Sequence, residues 1–436
     1  MIGKIVSGSL VFASVIAAVA VGSQLDTAEP TTASGSVISV TPARQDVACP
    51  GPLVTPAGGT GSDPELGGAA TQVTRKTFLA GAVREVGEGS ASDAVVGSAV
   101  ERVGGGDISG LAALTCGVPD IDQWLIGGAT SVGASARLVL ANPSQASVEA
   151  TVTIYGELGE LETRVVPIGP DGQAELLLEG VVVDVALLAV HVTATGTGVV
   201  AALQDSRLEG FQPAGTEWVV PGAVAQELAI PGVGTQGVSG QTATVRLMAP
   251  SGATARLALS TPGGELLWEG VNQLELEPGV VVEVPVPTID NATATISATQ
   301  PVMAAAYMTR SRPATVGVAG DTAREARWIA AQAVGDDSES AVVTVGYDAF
   351  VAVYAPRRGT FTLTDEDGTE VASVQLTAGS SALVPIKASA GTQLTASGDY
   401  VWALLVENNA FISAMTPLRT TVEDLDVSVE QRRYVP

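Results

Sequence analysis

Leu140-Ala141-Asn142-Pro143 ends one strand-like segment of the sequence, and an alternating segment follows at residues 148–154. The same break occurs at Leu247-Met248-Ala249-Pro250 and at Val353-Tyr354-Ala355-Pro356, with the prolines 107 and 106 residues apart. A sequence that resembles itself at a fixed interval is an array of one structural unit. The sequence therefore predicts three tandem repeats.

Each repeat has the pattern of a small β-domain. Apolar and polar residues alternate after each break, as strands with one buried face require. A glycine-containing turn then follows at 156–159, 261–264 and 365–368, and glycine supplies the positive φ that tight hairpins need. Six to eight short strands per repeat, separated by frequent turns, are typical of a β-sandwich. The fold class is therefore predicted to be all-β, with three immunoglobulin- or fibronectin-III-like sandwiches.

A short motif that begins with tryptophan recurs beside these breaks, at Trp124, Trp218 and Trp328. Large aromatic side chains bury much apolar area, so these residues are expected to fill the seams between units. This motif is compatible with two arrangements of the repeats, namely separate sandwiches or one closed assembly.

The repeats set the predicted domain boundaries. Residues 1–22 form a signal peptide or membrane anchor, and residues 23–118 form a spacer and an N-terminal segment tied by a disulfide. The three sandwiches follow at 119–222, 223–330 and 331–436. Within the N-terminal segment, residues 77–118 show no clear period and are assigned to neither helix nor strand.

The N-terminus carries an export signal. Lys4 precedes an uncharged apolar stretch at 5–22, and Ala18-Val19-Ala20 fits a cleavage site. The stretch also approaches the length of a membrane span, so a cleaved signal and an uncleaved anchor both remain open. Either one predicts an extracytoplasmic protein that is secreted or anchored to the cell membrane.

Cys49 and Cys116 are the two cysteines of the chain. In an oxidising exterior such a pair is expected to form one disulfide. The alternatives are two free thiols or a metal site, but a chain with a single histidine offers few further ligands for a metal.

The formal net charge is -25, and the only lysines are Lys4, Lys76 and Lys387. An acidic surface repels phosphate backbones, which argues against nucleic acid as a partner. Acidic clusters lie at 336–339, 365–367 and 423–426. Solvated loop charges explain them, and calcium bound at a junction is the alternative.

No catalytic or cofactor-binding residue is predicted. The run from Gly232 to Gly237 matches the dinucleotide fingerprint, yet a turn and a strand follow it where the fingerprint requires a helix. His191 is the sole histidine, and its strand pattern places it on an outward face. The chain contains many carboxylates, so their number alone does not exclude a catalytic pair of the kind that glycosidases use.

The residues that break the repeat are the candidate contact surfaces. The insertion at 224–237 has no counterpart in the first repeat, and four arginines are rare positive charges on an acidic chain that suit a carboxylate-bearing glycan. Salt bridges within the protein are the alternative for these arginines. The candidate partner-binding residues are Gly232, Gly234, Gly237, Arg310, Arg312, Arg357 and Arg358.

The run Cys116-Gly-Val-Pro, Trp124-Leu-Ile-Gly-Gly-Ala-Thr and Leu138-Val-Leu-Ala-Asn-Pro143, with Cys49-Pro-Gly-Pro52 upstream, resembles an exported actinobacterial family, the domain of unknown function 5719. The resemblance implies a membrane-anchored or secreted envelope protein and carries no catalytic residues with it.

We therefore expect a non-catalytic binding or scaffolding protein of the cell envelope, whose partner is an envelope protein or a wall glycan. An uncleaved N-terminus would add contact with the membrane. The alternatives are an accessory hydrolase or transferase acting on cell-wall polysaccharide and a purely structural spacer.

Overall fold

The chain folds into β-strands throughout its described part. The computed structural model describes residues 36–40, 47–54, 72–80, 95–104, 108–210, 212–234, 241–313, 322–420 and 425–429. Regular structure in these ranges is strand apart from a 3₁₀ turn at Leu178–Gly180. The predicted all-β class is confirmed, and the layered antiparallel sheets agree with tandem sandwiches. The predicted signal or anchor at 1–22 lies outside the described residues.

The N-terminal segment forms a sheet of its own. The strands before the first predicted repeat are β1 (Ser36–Val40), β2 (Gln72–Ala80), β3 (Val96–Gly104) and β4 (Gly110–Thr115). Strands β2, β3 and β4 pair in that order into a three-stranded sheet. This N-terminal sheet gives a regular structure to much of 77–118, where the sequence pattern indicates none.

Residues 119–222 form two four-stranded sheets around one core. The strands are β5 (Asp122–Ile126), β6 (Ala134–Asn142), β7 (Val148–Gly156), β8 (Gly159–Ile168), β9 (Gly172–Leu177), β10 (Ala189–Ala194), β11 (Val200–Glu209) and β12 (Gln212–Val219). One sheet has the order β5-β10-β7-β8 and the other β12-β11-β6-β9. Their inward valines, leucines and isoleucines are fully buried, as alternation along β7 predicts.

Residues 223–330 share one long strand between two layers. The strands are β13 (Ala225–Val233), β14 (Thr242–Met248), β15 (Ala253–Thr261), β16 (Gly264–Leu267), β17 (Leu274–Leu276), β18 (Val282–Pro285), β19 (Ala292–Pro313) and β20 (Thr322–Ala330). The first half of β19 pairs with β13 and β15, and its second half pairs with β14 and β20.

The strands after residue 330 are β21 (Gln332–Ala333), β22 (Ser340–Val343), β23 (Asp348–Ala355), β24 (Gly359–Thr364), β25 (Glu370–Leu376), β26 (Ser380–Ile386), β27 (Gln393–Ala396), β28 (Val401–Asn408), β29 (Phe411–Met415), β30 (Leu418–Arg419) and β31 (Leu425–Val429). Strands β22 to β30 form a five-stranded sheet in the order β25-β24-β27-β22-β30 and a four-stranded sheet in the order β26-β23-β28-β29. Strand β21 pairs back onto β13. The number of repeats and their boundaries stay predictions from the sequence.

The first and last strands that the structure describes pair with each other. Strand β31 runs antiparallel to β1, with Ser36 opposite Val429 and Val40 opposite Leu425. These strands belong to one compact unit, and residues 42–423 form a second one.

Each predicted turn joins a hairpin. The turns at 156–159, 261–264 and 365–368 connect β7 to β8, β15 to β16 and β24 to β25. Gly159 and Gly264 take φ values of 96° and 106° there, which side chains other than glycine rarely adopt. Strands β10 and β11 follow one another along the chain but lie in opposite sheets. The chain therefore crosses the core between them.

The layers of 42–423 join into one closed assembly. Strand β12 packs against β20 and β4, and β29 packs against the same two strands. Trp328 of β20 is buried in the core of 119–222, while Leu405 of β28 is buried in the core of 223–330. From β4, Leu114 packs with Trp218 and Leu111 enters the core of the last part. The N-terminal sheet therefore fills the space between the first and last predicted repeats.

The predicted disulfide between Cys49 and Cys116 is present, with the two Cα atoms 4.4 Å apart. Beside it, Ala48 and Gly117 exchange backbone hydrogen bonds of 2.9 and 3.0 Å. The disulfide therefore holds residues 47–54 against the end of β4.

We predict that a Cys49→Ser, Cys116→Ser double variant is less stable than the wild-type protein. The bond joins residues 67 positions apart, and closing a loop of this length stabilises a fold by about 4 kcal/mol in the chain-entropy model. Urea denaturation of both proteins measures the difference. A reductant should lower the midpoint of the wild type alone, and equal midpoints without reductant would contradict the prediction.

Candidate functional site

A buried carboxylate, Glu325 on β20, connects the N-terminal sheet to the rest of the assembly. Its Oε1 accepts a 2.9 Å hydrogen bond from the backbone N–H of Leu111, and its Oε2 accepts one of 3.1 Å from Arg312 Nε. Arg312 Nη2 also donates to the carbonyl of Ser109 at 3.3 Å. Burial raises the pKa of Glu325 to about 8, although the Leu111 N–H and Arg312 both act to lower it.

A second buried carboxylate, Glu101 on β3, organises the segment after the first cysteine. It accepts 2.7 Å hydrogen bonds from the backbone N–H of Leu53 and from Arg75 Nη1. Arg75 donates in addition to the carbonyls of Cys49 and Pro50, each at 3.0 Å. Burial raises the pKa of Glu101, with the Leu53 N–H and Arg75 opposing the rise.

Three polar residues occupy corresponding places on β12, β20 and β29: Glu217, Arg327 and Ser413. All three are buried. The Ser413 hydroxyl accepts a 2.8 Å hydrogen bond from the Ala113 N–H of β4. Burial raises the pKa of Glu217 well above its usual range and lowers the pKa of Arg327 to about 10. These groups lie where β4, β12, β20 and β29 pack together, out of reach of a macromolecular ligand.

Two of the candidate partner-binding arginines are interior residues, which corrects their assignment to a contact surface. Arg310 forms an ion pair with Glu407, and Arg312 forms one with Glu325. Their side chains are only 9% and 3% exposed. A buried carboxylate needs a charged partner, because an isolated charge in the interior is very costly. The salt-bridge alternative therefore describes these two residues.

The insertion at 224–237 is also not an exposed contact loop in its described part. Residues 225–233 are strand β13, and both Gly232 and Gly234 are buried. Gly232 has a φ of 77°, and a Cβ there would lie 2.9 Å from Leu405 Cδ1. The glycine permits close packing between β13 and β28. Gly237 lies outside the described residues.

Arg357 and Arg358 do lie on the surface, in the turn after the Pro356 break. The Arg357 side chain is 81% exposed, and its Nε lies 3.7 Å from Asp399 Oδ2. An exposed pair of this kind contributes little to stability. Both arginines therefore remain candidates for contact with a partner.

The sole histidine belongs to a surface aromatic cluster. The His191 ring stacks on Trp124, with the ring centroids 3.7 Å apart, and its Nε2 lies 2.9 Å from Asp122 Oδ1. Its side chain is 21% exposed on the outer face of the sheet. Tyr155 lies on the other side of this cluster, 5.7 Å from Trp124.

The acidic clusters form turns. Asp365 Oδ1 accepts hydrogen bonds from the N–H groups of Asp367 and Thr369 at 3.1 and 2.8 Å, and Asp336 Oδ1 accepts one from Ser338 at 2.9 Å. Among the described residues, no group of three or more His, Cys, Asp or Glu side chains is placed to hold a metal ion. The cluster at 423–426 lies outside the residues whose side chains are described.

The sequence reasoning missed an open polar cleft in the last predicted repeat. Its volume is about 770 Å³, within the range of sites for small ligands. Leu404 and Val406 of β28 contribute apolar lining. The polar side chains that line it are Thr344, Tyr347, Asp348, Lys387, Ser389, Glu407 and Asn408. The scarcity of lysine was the available sequence signal, because Lys387 is one of only three.

The walls of this cleft are the loops 344–347 and 387–392, and Thr344 ties them together. Its backbone exchanges hydrogen bonds of 2.9 and 2.8 Å with Thr392 and Gly391, and its hydroxyl donates to the Ser389 carbonyl. A Cβ on Gly346 would lie 2.8 Å from Ala390 Cβ, which shows how closely the loops approach.

Glu407 lines a third side of the cleft and is ion-paired with Arg310 behind it. Arg310 donates to both carboxylate oxygens of Glu407, at 2.9 and 3.2 Å. Asp348 is the antiparallel register partner of Glu407 and is exposed. The cleft therefore holds one occupied carboxylate, one exposed carboxylate and one lysine.

A second cavity of about 260 Å³ lies beside the disulfide. Its lining is mostly apolar and includes Cys116, Val200, Pro221 and Pro417. It offers few groups that would orient a ligand.

Together these features define an all-β protein of antiparallel sheets packed in layers, joined through buried ion pairs. The chain belongs to the family of unknown function DUF5719, whose family model matches residues 67–387. The resemblance noted from the sequence is thereby confirmed. No helix long and apolar enough to cross a membrane occurs in the described ranges.

Among solved structures, the chain is similar to one described as "Biofilm associated protein - BSP domain". The two are 10% identical, with a TM-score of 0.15, and the match covers 83% of this chain and 67% of that one. No curated protein matches the chain.

We predict that the stability of the protein falls as the pH rises from about 5 to about 9. A carboxyl whose folded pKa is raised contributes stability that is complete below its unfolded pKa of about 4.5 and is lost as the pH passes through the folded value, about 8 for Glu325. Urea midpoints at both pH values measure the effect, which should amount to a few kcal/mol.

Two variants test the origin of this pH dependence. Glu325→Gln should reduce the difference between the two midpoints, since glutamine does not titrate. Glu209→Gln removes the exposed ion-pair partner of Arg324, the residue next to Glu325 on β20, and should leave the difference unchanged. An equal effect of both variants would contradict the assignment to Glu325.

We predict that Gly232→Ala destabilises the fold by about 1–3 kcal/mol, because the new Cβ meets both strain at positive φ and close neighbours. Gly263→Ala is the control, since its nearest neighbour would be Thr261 Oγ1 at 3.6 Å. Thermal denaturation compares the two. A Gly232→Ala protein of wild-type stability would show that this close packing is unimportant.

Proposed function

We propose that the protein is an extracytoplasmic, non-catalytic binding scaffold of the cell envelope, either membrane-anchored or secreted. Its partner would be an envelope protein or a wall glycan. The observation that carries this proposal is the contrast between interior and surface. The strongly perturbed carboxyl groups are buried at seams between repeats, whereas the open cleft is polar and has fixed walls.

The buried network supports a scaffold because it makes the repeats rigid with respect to one another. Arg310 and Glu407 connect β19 to β28, and Glu325 connects β20 to the N-terminal sheet. Rigid walls reduce the entropy lost on binding, so a preformed cleft binds more tightly than a mobile one. The disulfide supports the extracytoplasmic compartment, since such bonds persist in oxidising surroundings.

An accessory enzyme acting on cell-wall polysaccharide is the second candidate, and one observation favours it. Asp348 and Glu407 are register partners that line the same cleft, and glycosidases use two carboxyl groups. Binding is the better supported function because Arg310 already occupies both oxygens of Glu407. A general acid requires a protonated carboxyl in apolar surroundings, and Asp348 is exposed.

The full-length protein tests the proposal when it is immobilised and exposed to envelope proteins and solubilised wall glycans, with and without calcium. We expect specific retention of at least one component. Retention of nothing in either condition would overturn the binding proposal and leave a structural spacer. Release of reducing sugar by the wild type, abolished in Asp348→Asn, would instead support the enzyme.

A further inference from the structure

Lys387 differs from most cations of the protein in having no carboxylate partner. Many of the arginines that the structure describes form ion pairs with Asp or Glu, in the interior as well as at the surface. No carboxylate lies within ion-pair distance of the Lys387 ammonium among the described residues. On a chain of net charge -25, a cation left unpaired inside a cleft is available to a ligand.

The groups around Lys387 suit a ligand that is rich in hydroxyls. Asp348 accepts hydrogen bonds, Asn408 both donates and accepts, and the Ser389 hydroxyl does the same. Tyr347 is half-buried in the lining, so its ring offers an apolar surface beside these polar groups. A sugar ring presents this combination of hydroxyls and a flat apolar face.

The charge balance of the cleft selects the kind of anion. A lysine binds carboxylate and phosphate alike as a point charge. Asp348 lies in the same cleft and repels negative charge, and it repels a phosphate of charge near -2 more strongly than a singly charged carboxylate. The cleft therefore favours the carboxylate.

We propose that the Lys387 cleft, between the loops 344–347 and 387–392, binds an acidic oligosaccharide whose carboxylate pairs with Lys387 and whose ring packs on Tyr347. This inference rests on the proposed binding function and names the chemistry of its ligand. It also moves the expected contact with a carboxylate-bearing glycan from Arg310 and Arg312, which are buried, to a lysine that is exposed.

Titration calorimetry of the full-length protein with tetragalacturonate tests the proposal. The carboxyl-reduced neutral tetrasaccharide is the matched ligand control. We expect the acidic sugar to bind at least about tenfold more tightly than the neutral one, as one charge-assisted hydrogen bond allows. Absence of binding, or equal affinity for both sugars, would overturn the proposal.

Four variants locate the binding. Lys387→Ala should lower the affinity for the acidic sugar about tenfold, and Lys387→Arg should retain most of that affinity. Tyr347→Ala should lower the affinity for both sugars. Lys76→Ala is the control, because Lys76 is an exposed lysine on β2 that is absent from the cleft. An unchanged affinity in Lys387→Ala would overturn the assignment, with thermal denaturation showing that each variant is folded.

Competition separates the two kinds of anion. Acetate should displace the acidic sugar more effectively than inorganic phosphate at equal concentration, and the reverse order would overturn the choice of carboxylate. The pull-down described above distinguishes the two proposals. If the wild type and Lys387→Ala retain the same envelope component equally, the cleft assignment fails and the scaffold stands. If the wild type retains nothing, the scaffold fails.

Discussion

The burial of ionisable groups where the sheets meet is the constraint on which the packing of residues 42–423 depends. Glu325 is fully buried and is satisfied only when the Leu111 N–H and Arg312 both reach it. Removing one partner of a buried pair is far more costly than removing an exposed pair. The N-terminal sheet and the neighbouring sheets therefore stabilise one another, and each would leave buried polar groups without partners if it stood alone.

The same constraint shapes the surface. Arg310 lies on β19 and Glu407 on β28, so their ion pair joins two parts of the chain, and Glu407 also lines the cleft. A change at this seam would alter the cleft without touching a ligand. The acidic composition also bears on ligand binding. Most described cations form ion pairs within the protein, whereas Lys387 does not and can therefore pair with a ligand.

Much of the fold could be predicted, because alternation and glycine turns are local signals. The hairpins at 156–159, 261–264 and 365–368 follow from them directly. The buried roles of Gly232, Arg310 and Arg312 could not be predicted, since they depend on which strands meet across a seam. Arginine is scarce in this chain and suggests a surface contact, but long-range packing places Arg310 and Arg312 in the interior. The cleft was missed for the same reason, as its walls are 40 residues apart in sequence.

The pairing of β1 with β31 has a mechanical consequence. Ser36 lies opposite Val429 and the strands run antiparallel, so the first residue of β1 and the last residue of β31 lie at the same end of this pair. Tension applied between Ser36 and Val429 would separate the two strands from that end, a few hydrogen bonds at a time. Because residues 42–423 lie between β1 and β31 along the chain, this short ladder would carry the force first.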